Sequence, residues 1–413
     1  MELLKLRDYQ VDISLKGNEI LKEFKLLYLS LAVRIGKSAT ALEICRLYGA
    51  KSILFITKLK AISSIKSDYE KFGFNNHFEL TIINKESIHK IESDNFDVVC
   101  YDEHHTPSGS YPKPGPFTKQ CKKRFGDIPS IFISGTPSPE SFSQFYHQFW
   151  ISNHSPWKKY VNFYKWAIDY VDLKKKRIGA FEHNDYSFGI EDKIMKSINH
   201  LMITFTQEQS GFNSVITEEI LYVDMKPQTY SIADRLIKDL VIEGAEEVIL
   251  ADTSVKLMQK LMQIYSGTCK FESGNTKVLD TSKAEYLLNN FGDKKLAIFY
   301  VFIAELEALR TIFGDKLTTD LDEFNSTDKH IAYQIQSGRE GTNLSKADYL
   351  FFYNIHHSAT SYWQARDRMT TIDRKFNKVY FLFSKGGIED KIYKAVQSKK
   401  KYTTNIFKKD YGK

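Results

Sequence analysis

Short runs of apolar residues recur along the chain, each bounded by polar or turn-forming residues. A continuous apolar run of this length is typical of a strand buried on both faces of a parallel sheet. The segments between the runs are predicted to be helical, starting with an amphipathic one that ends near Phe24. Strands that alternate with helices predict an α/β protein. The predicted strands span 52–57, 80–83, 96–101, 130–133, 220–223, 295–300, 331–335 and 349–353.

The length of 413 residues predicts two domains rather than one ordinary core. The strand–helix rhythm appears in both halves, so each domain is expected to contain a parallel sheet flanked by helices. The predicted ranges are 1–205 for the first domain, 206–225 for a linker, 226–395 for the second domain and 396–413 for a basic tail.

Two segments of the first half have an unusual composition. Thr106 to Asp127 is rich in Pro, Gly and Lys, which predicts a long loop. Residues 152–205 interleave Lys with aromatic side chains and contain the run Lys174 to Arg177. That composition suits a nucleic-acid surface, and it equally suits a helical core stripe with one solvated face.

Composition narrows the class of protein. Hydrophobic residues make up 42% of the chain and charged residues 26%, which indicates a globular protein. The net charge of +7 is compatible with a polyanionic partner. The four cysteines form no CxxC pair, so neither a zinc site nor a disulfide framework is indicated. With no apolar run long enough for a bilayer, we expect an intracellular, cytoplasmic protein without membrane contact.

The stretch Leu29 to Leu42 carries the first candidate chemistry. It combines a strand end, Gly36 and a helix that opens with Lys37 and Ser38. Backbone N–H groups at such a turn form an anion site, where Lys can reach the β- and γ-phosphates of a nucleotide and Ser can ligate Mg²⁺. The phosphate-loop pattern is incomplete, because Leu31 and Arg34 stand where Gly is usual.

An acidic pair follows the predicted strand 96–101. Ligands of an open parallel sheet lie at the carboxyl ends of its strands, so Asp102 and Glu103 are expected to face the same crevice as Lys37. Asp102 would hold Mg²⁺ and Glu103 would polarise the attacking water. An isolated acidic pair can also be a solvated turn. Upstream, the Gln10 carboxamide offers the donors and acceptor needed to read an adenine edge.

Three further motifs follow. Ser134, Gly135 and Thr136 come after the strand 130–133, where small hydroxyl residues can link the crevice to a neighbouring domain. The flexible, polar segment 336–345 suits contacts with phosphates or sugars. Gln364 and Arg368 are four residues apart, so on a helix they share one face.

The order of these motifs, LRDYQ, GKS, DEHH, SGTP and QARDR, resembles superfamily 2 helicases and translocases, with the Swi/Snf-like branch and its bacteriophage members closest. The resemblance implies two RecA-like domains with a nucleotide cleft between them. It implies catalytic roles for Lys37, Asp102, Glu103 and Arg368, with Ser38 and Asp102 holding the metal. The implied nucleotide-binding residues are Arg7, Gln10, Arg34, Gly36, Lys37, Ser38, Ala39, Gln364, Arg366 and Arg374. The implied coupling and nucleic-acid residues are Lys58, His105, Ser134, Gly135, Thr136, Gly341, Thr342 and Asn343.

Besides Arg34, two further departures from the family pattern stand out. His104 occupies a position that is usually Ala, and Thr371 stands where a second Arg is usual. Either Arg366 or Arg374 can replace that Arg, and the sequence does not choose between them.

The expected function is therefore an ATP- and Mg²⁺-dependent motor, either a DNA helicase or a translocase, in which closure of the domains is coupled to movement. DNA, single-stranded, duplex or branched, is favoured over RNA, and accessory recombination, repair or replication proteins are conceivable partners. The lean, Lys- and Asn-rich composition suits a phage-encoded protein acting in a bacterial host. The alternatives are a catalytically impaired DNA-binding module and the motor subunit of a restriction or repair assembly.

Overall fold

The computed structural model describes residues 3–32, 35–178, 181–211, 215–244, 246–335, 344–355, 362, 365–366 and 376–397. The chain divides into two compact units, Met1–Phe212 and Asn213–Lys413. Each unit is built on a six-stranded sheet. None of the described helices is both long enough and apolar enough to cross a membrane.

The first unit contains a parallel sheet and a separate two-stranded antiparallel ribbon. Its strands are β1 (Leu26–Leu31), β2 (Ser52–Thr57), β3 (Glu79–Asn84), β4 (Val98–Tyr101), β5 (Ser130–Ser134), the ribbon strands β6 (Lys174–Ile178) and β7 (Phe181–Asp185), and β8 (Met202–Phe205). The sheet order is β3-β2-β4-β5-β1-β8, and every pair in it is parallel. The carboxyl ends of β1, β2, β4 and β5 therefore lie along one edge.

Helices cover both faces of this sheet. They are α1 (Asp8–Phe24), α2 (Lys37–Tyr48), α3 (Ile62–Lys71), α4 (His105–Ser108), α5 (Pro116–Phe125), α6 (Phe145–Trp150), α7 (Phe163–Tyr170) and α8 (Glu191–Ile198). Successive residues of β1 enter different cores: Leu27 and Leu29 join one cluster, and Leu26 and Tyr28 join the other. Burial on both faces explains why the strands have continuous apolar runs.

The second unit repeats this architecture. Its strands are β9 (Val215–Val223), β10 (Val241–Glu243), β11 (Val248–Leu250), β12 (Thr268–Lys270), β13 (Thr276–Val278), β14 (Leu296–Tyr300), β15 (Leu317–Thr318), β16 (His330–Gln334), β17 (Tyr349–Phe352) and β18 (Phe376–Ser384). The parallel sheet has the order β15-β16-β14-β17-β18-β9, while β10–β11 and β12–β13 are separate antiparallel ribbons.

The described helices of the second unit are α9 (Pro227–Asp239), α10 (Ser254–Tyr265), α11 (Ser282–Phe291), α12 (Ile303–Phe313), α13 (Leu321–Ser326) and α14 (Glu389–Gln397). As in the first unit, β14 alternates between two cores, with Ala297 and Phe299 in one and Leu296 and Ile298 in the other. Both units thus have the parallel, helix-flanked architecture predicted for RecA-like domains.

Several local predictions were wrong. Thr106 to Asp127 is not one long loop, because it contains α4 and α5. Pro116 occupies the first turn of α5, where proline is favoured, and Thr118, Cys121 and Phe125 bury one face of the helix. The segment between the predicted strands 220–223 and 295–300 was expected to be helical, but α9 ends at Asp239 and is followed by β10.

Strand assignments also changed. Strand β8, which pairs with β1, was not among the predicted strands. Strand β9 begins at Val215, before the predicted strand 220–223, and pairs with β18 over its whole length. The apolar strand β18 was not predicted.

The aromatic segment of the first unit is largely core. Trp157, Phe163 and Trp166 are each at most 2% exposed and belong to the cluster that packs under β1 and β5. The core-stripe alternative therefore accounts for these aromatics, while the basic run Lys174 to Arg177 lies on the ribbon β6–β7.

Candidate nucleotide site of the first unit

The turn before α2 requires glycine. Gly36 is the N-cap of α2 and has a φ of 78°, in the left-handed region that favours glycine. A Cβ atom at this position would also lie 2.3 Å from Gln10 Nε2. Lys37 and Ser38 then open a 12-residue helix whose first backbone N–H groups have no partner within the helix. This is the local structure that the phosphate-turn prediction requires.

The start of α1 holds this turn in place. Gln10 Nε2 donates to the carbonyl oxygens of Ile35 and Gly36, at 3.4 and 3.3 Å, and Gln10 Oε1 accepts from the Arg7 backbone N–H at 2.9 Å. Tyr9 Oη donates to Ile35 O at 3.2 Å and accepts from Arg7 Nη1. In this structure the Gln10 carboxamide therefore braces the turn; its contact with adenine stays a prediction.

The acidic pair lies at the same edge of the sheet. Lys37 Nζ is 3.9 Å from Glu103 Oε1, and both side chains are mostly buried. Asp102 Oδ2 accepts from Thr57 Oγ1 at 2.7 Å, and Asp102 Oδ1 accepts from the Glu103 backbone N–H at 3.0 Å. Glu103 has a φ of 46°, a backbone conformation that is strained for a residue other than glycine. The chain thus makes a sharp, energetically costly turn directly after β4.

The surroundings of Asp102 oppose its ionisation. Burial and the neighbouring Glu103 carboxylate raise the pKa of Asp102 to about 6. The Thr57 hydrogen bond and the charges of Lys37 and Lys58 act in the opposite direction without cancelling this rise. A cation beside Asp102 would relieve the unfavourable charge, as expected of an oxygen ligand for a hard metal ion.

A chain of contacts connects the acids to the end of β5. His105 Nδ1 lies 3.6 Å from Glu103 Oε2 and 2.7 Å from Ser134 Oγ. Ser134 Oγ in turn accepts from the Thr136 backbone N–H at 3.1 Å. The structure therefore brings together Lys37, Glu103, His105, Ser134 and Thr136. Lys58 lines a small pocket with Thr57, Asp102 and Glu103, whereas Ala39 is buried in α2.

The two adjacent histidines have different environments. His104 is completely buried and stacks on Phe132, with ring centroids 4.1 Å apart. Its Nε2 atom is hydrogen-bonded to Gln148 O, and burial lowers its pKa to about 3, so the ring is neutral at physiological pH. His104, the departure from the family pattern, is therefore a core residue and leaves the crevice to His105.

In the second unit only one residue of the QARDR motif has a described charged contact. Arg366 Nη1 lies 3.1 Å from Glu218 Oε1 on β9, and Tyr393 Oη donates to Glu218 Oε2 at 2.9 Å. Arg366 is thus anchored within its own unit. Seven predicted site residues, from both units, lie outside the described residues: Arg34, Gly341, Thr342, Asn343, Gln364, Arg368 and Arg374.

Sequence reasoning missed two partners of the site. Thr57 was seen only as a strand end, although a hydroxyl at the carboxyl end of β2 is a signal for a contact with the neighbouring strand β4. Gln148 could not be found, because it lies on α6 and belongs to none of the motifs. Its side chain accepts from Tyr28 Oη and donates to Pro137 O, so it joins β1 to the segment after Thr136.

Comparisons with known proteins give distant structural likenesses. No protein-family model and no curated protein matches the chain. It is similar to the Sulfolobus solfataricus SWI2/SNF2 ATPase core in complex with dsDNA, at 14% identity and a TM-score of 0.44 over 98% of this chain and 92% of that chain. It is also similar to the Pyrococcus furiosus Hef helicase domain, at 15% identity and a TM-score of 0.47 over 95% and 98%. The fold assignment rests on the strand order and pairing of the two sheets.

Proposed function

We propose that this chain is an ATP-hydrolysing motor that acts on nucleic acid, with DNA as the favoured partner. The observation that carries the proposal is the contact chain Lys37–Glu103–His105–Ser134, which starts beside the glycine turn of α2 and runs along one edge of a parallel sheet. Phosphoryl transfer that is coupled to movement requires three parts: an anion site, an acidic pair, and contacts that connect the pair to the rest of the unit. Here the contacts from Glu103 through His105 to Ser134 form the third part, which we call the relay.

Each residue of the first unit has a role in this proposal. The N-terminus of α2 binds the phosphates, and Lys37 leaves Glu103 to pair with them. Glu103 then orients and polarises the attacking water. A change in the position of the Glu103 carboxylate is transmitted through His105 and Ser134 to the segment that contains Thr136. The strained backbone at Glu103 holds its carboxylate between Lys37 and His105.

The residues fit a divalent metal ion. Asp102 is a carboxylate with a raised pKa, and Ser38 supplies a hydroxyl at the start of α2. These are the oxygen donors that Mg²⁺ prefers. When bound, Mg²⁺ would neutralise charge on the phosphate oxygens. Arg368 is proposed to stabilise the charge of the transferring group, and Arg374 is the remaining substitute for the second Arg, since Arg366 is anchored by Glu218.

The test is an ATPase assay with purified full-length protein and Mg²⁺. We expect hydrolysis that is stimulated by nucleic acid and lowered at least about 100-fold by Lys37→Ala and by Glu103→Gln. The exposed Lys90 provides a matched control, because Lys90→Ala removes the same side chain outside the site. Single-stranded, duplex and forked DNA and an RNA of equal length are compared as stimulators.

The outcomes distinguish the proposed motor from its alternatives. Normal turnover in both site variants would contradict the mechanism. Nucleic-acid binding that does not respond to ATP, without hydrolysis, would instead favour the impaired binding module. A larger stimulation by RNA than by DNA would correct the preferred partner and leave the motor proposal standing.

A further inference from the structure

The antiparallel ribbon β6–β7 is a feature that the proposed ATPase chemistry does not use. It belongs to neither six-stranded sheet, and its strands pair only with each other. A two-stranded ribbon has no core of its own and is at best marginally stable in water without further contacts. The ribbon therefore needs contacts with the rest of the first unit, and its remaining surface is available for another role.

The attachment lies at the root of the ribbon. Val171 and Gly189 close it with an antiparallel bridge, and Asp172 N donates to Phe188 O at 2.9 Å. A Cβ atom on Gly189 would come within 2.7 Å of the Ser143 backbone nitrogen, so the root is pressed against the turn Phe142–Gln144. The ribbon is thus fixed to the body of the first unit.

Two serine hydroxyls strengthen this attachment. Ser141 Oγ donates to Ser187 O and Ser143 Oγ donates to Tyr186 O, both at 2.6 Å. Gln148 Nε2 donates both to Gln144 O, in the turn that carries Ser143, and to Pro137 O, directly after Thr136. The root of the ribbon is therefore connected through short contacts to the end of the site's relay.

The rest of the ribbon carries positive charge on both faces. Side chains alternate along a strand, so Lys174 and Lys176 lie on one face and Lys175 and Arg177 on the other. Lys174 is 3.5 Å from Asp172 and Lys175 is 3.1 Å from Glu182, in pairs that are more than half exposed. Exposed pairs of this kind bind weakly and are easily exchanged for another anion.

The remaining basic residues are less compensated. Asp185 Oδ1 accepts from the Ser187 backbone N–H at 3.0 Å; against the effect of burial, hydrogen bonds from Ser187 and the charges of Lys176 and Lys174 lower the pKa of Asp185. Among the described residues, no carboxylate lies within ion-pair distance of Lys176 or Arg177. Arg177 is exposed and Lys176 is partly exposed, so the two side chains present positive charge that is only partly compensated.

From this geometry we infer that the ribbon β6–β7 is a docking element for a nucleic-acid duplex, which contacts the phosphate backbone through Lys176 and Arg177. The inference deepens the proposed function, on which it rests, by naming the surface that contacts the partner. A two-stranded ribbon with basic residues on both faces has the width that a major groove admits.

The experiment compares two charge-reversed variants of the full-length protein without ATP. The ribbon variant is Lys176→Glu with Arg177→Glu. The control variant is Lys270→Glu with Lys277→Glu, which makes the same change in net charge on the ribbon β12–β13 of the second unit. The probe is a fluorescent 30-base-pair DNA, titrated at several salt concentrations.

We expect the ribbon variant to bind about tenfold more weakly and to lower the slope of log affinity against log salt by about 2, since each lost phosphate contact removes about 0.9. The control variant should keep both values. Thermal melting and ATP hydrolysis without DNA should be unchanged in both variants, because the altered side chains lie outside the site.

Unchanged affinity and salt slope in the ribbon variant, with wild-type binding intact, would overturn the inference and leave the proposed function standing. Equal losses in both variants would also overturn it, because net charge alone would then explain the effect. A wild-type protein that neither binds nucleic acid nor hydrolyses ATP would contradict the proposed function itself.

Discussion

Two Lys–Glu pairs in this protein illustrate two uses of the same residue types. In the second unit Lys283 Nζ lies 2.9 Å from Glu389 Oε1, and both side chains are fully buried. In the first unit Lys37 and Glu103 are 3.9 Å apart, and their side chains are 13% and 16% exposed. One pair is closed, and the other is loose and partly open to solvent.

The surroundings of the two pairs explain the difference. Lys283 also donates to Tyr353 O, and Glu389 Oε1 accepts from the Ser384 backbone N–H, so backbone groups add to the buried pair, while Glu389 Oε2 has no hydrogen-bond partner among the described residues. The Lys37–Glu103 pair instead borders Asp102, whose pKa is raised by burial and by the Glu103 carboxylate. A close, fully buried pair with backbone partners is structural, whereas a looser pair beside a carboxylate with a raised pKa suits exchange with a ligand.

The largest expected effect breaks the closed pair. Lys283→Ala leaves the Glu389 carboxylate buried without its cation, so we expect a loss of about 3–5 kcal/mol in unfolding free energy. The double variant Lys283→Met with Glu389→Leu should recover most of that loss. Urea denaturation of the full chain measures the unfolding free energy of both variants. Hydrogen exchange in β14 and β17 then checks the result within the second unit. Lys37→Ala should change the unfolding free energy by less than about 1 kcal/mol. A loss in Lys37→Ala as large as that in Lys283→Ala would contradict the distinction between a structural pair and an exchangeable one.

A second prediction concerns pH and the open pair. Because the pKa of Asp102 is raised to about 6, the metal-free protein should lose stability as pH rises from about 4 to about 6. Asp102→Asn removes this charge, so the variant should be about 1–3 kcal/mol more stable than the wild type at pH 8 and equally stable near pH 4. Thermal melting across pH in a chelator measures the difference.

Asp280 in the second unit supplies a control of opposite sign. Burial disfavours its charge, but hydrogen bonds from Ser282, Thr229 and the Lys226 backbone N–H outweigh burial and lower its pKa. Asp280→Asn should therefore destabilise the protein at pH 8, and the difference should shrink as pH falls below the usual Asp range. If the stability of Asp102→Asn and of Asp280→Asn, each relative to the wild type, depended on pH in the same way, the contrast between Asp102 and Asp280 would be contradicted.

The smallest expected effect tests the hydroxyl that supports Asp102. Thr57→Val removes the donor at 2.7 Å, so the pKa of Asp102 should rise further above 6, at a cost of about 1 kcal/mol at pH 8. Carbon-13 NMR of labelled aspartate carboxyls follows this titration. Thr57→Ser keeps the hydroxyl and should leave the titration near its wild-type position.

Much of the fold followed from the order of apolar runs. Strands such as β2 and β14 were predicted because burial on both faces demands a run without polar residues. The predicted loop at Thr106 to Asp127 was wrong, because Gly and Pro at its start hid the apolar spacing of α5. Strand β9 was assigned only in part, because its polar residues Glu218 and Glu219 interrupt the run at a sheet edge.

The sequence by itself determined two parallel α/β units and placed Lys37, Asp102 and Ser134 at strand ends or helix starts, because periodicity and turn residues act locally along the chain. Only the tertiary structure decided that His104 enters the core while the adjacent His105 contacts Glu103 and Ser134. It also decided that the aromatics of residues 157–166 fill the core and that Thr57 supports Asp102. Burial, charge and hydrogen bonding depend on residues that are distant in sequence, so side-chain orientation and pKa emerge only when the strands lie side by side.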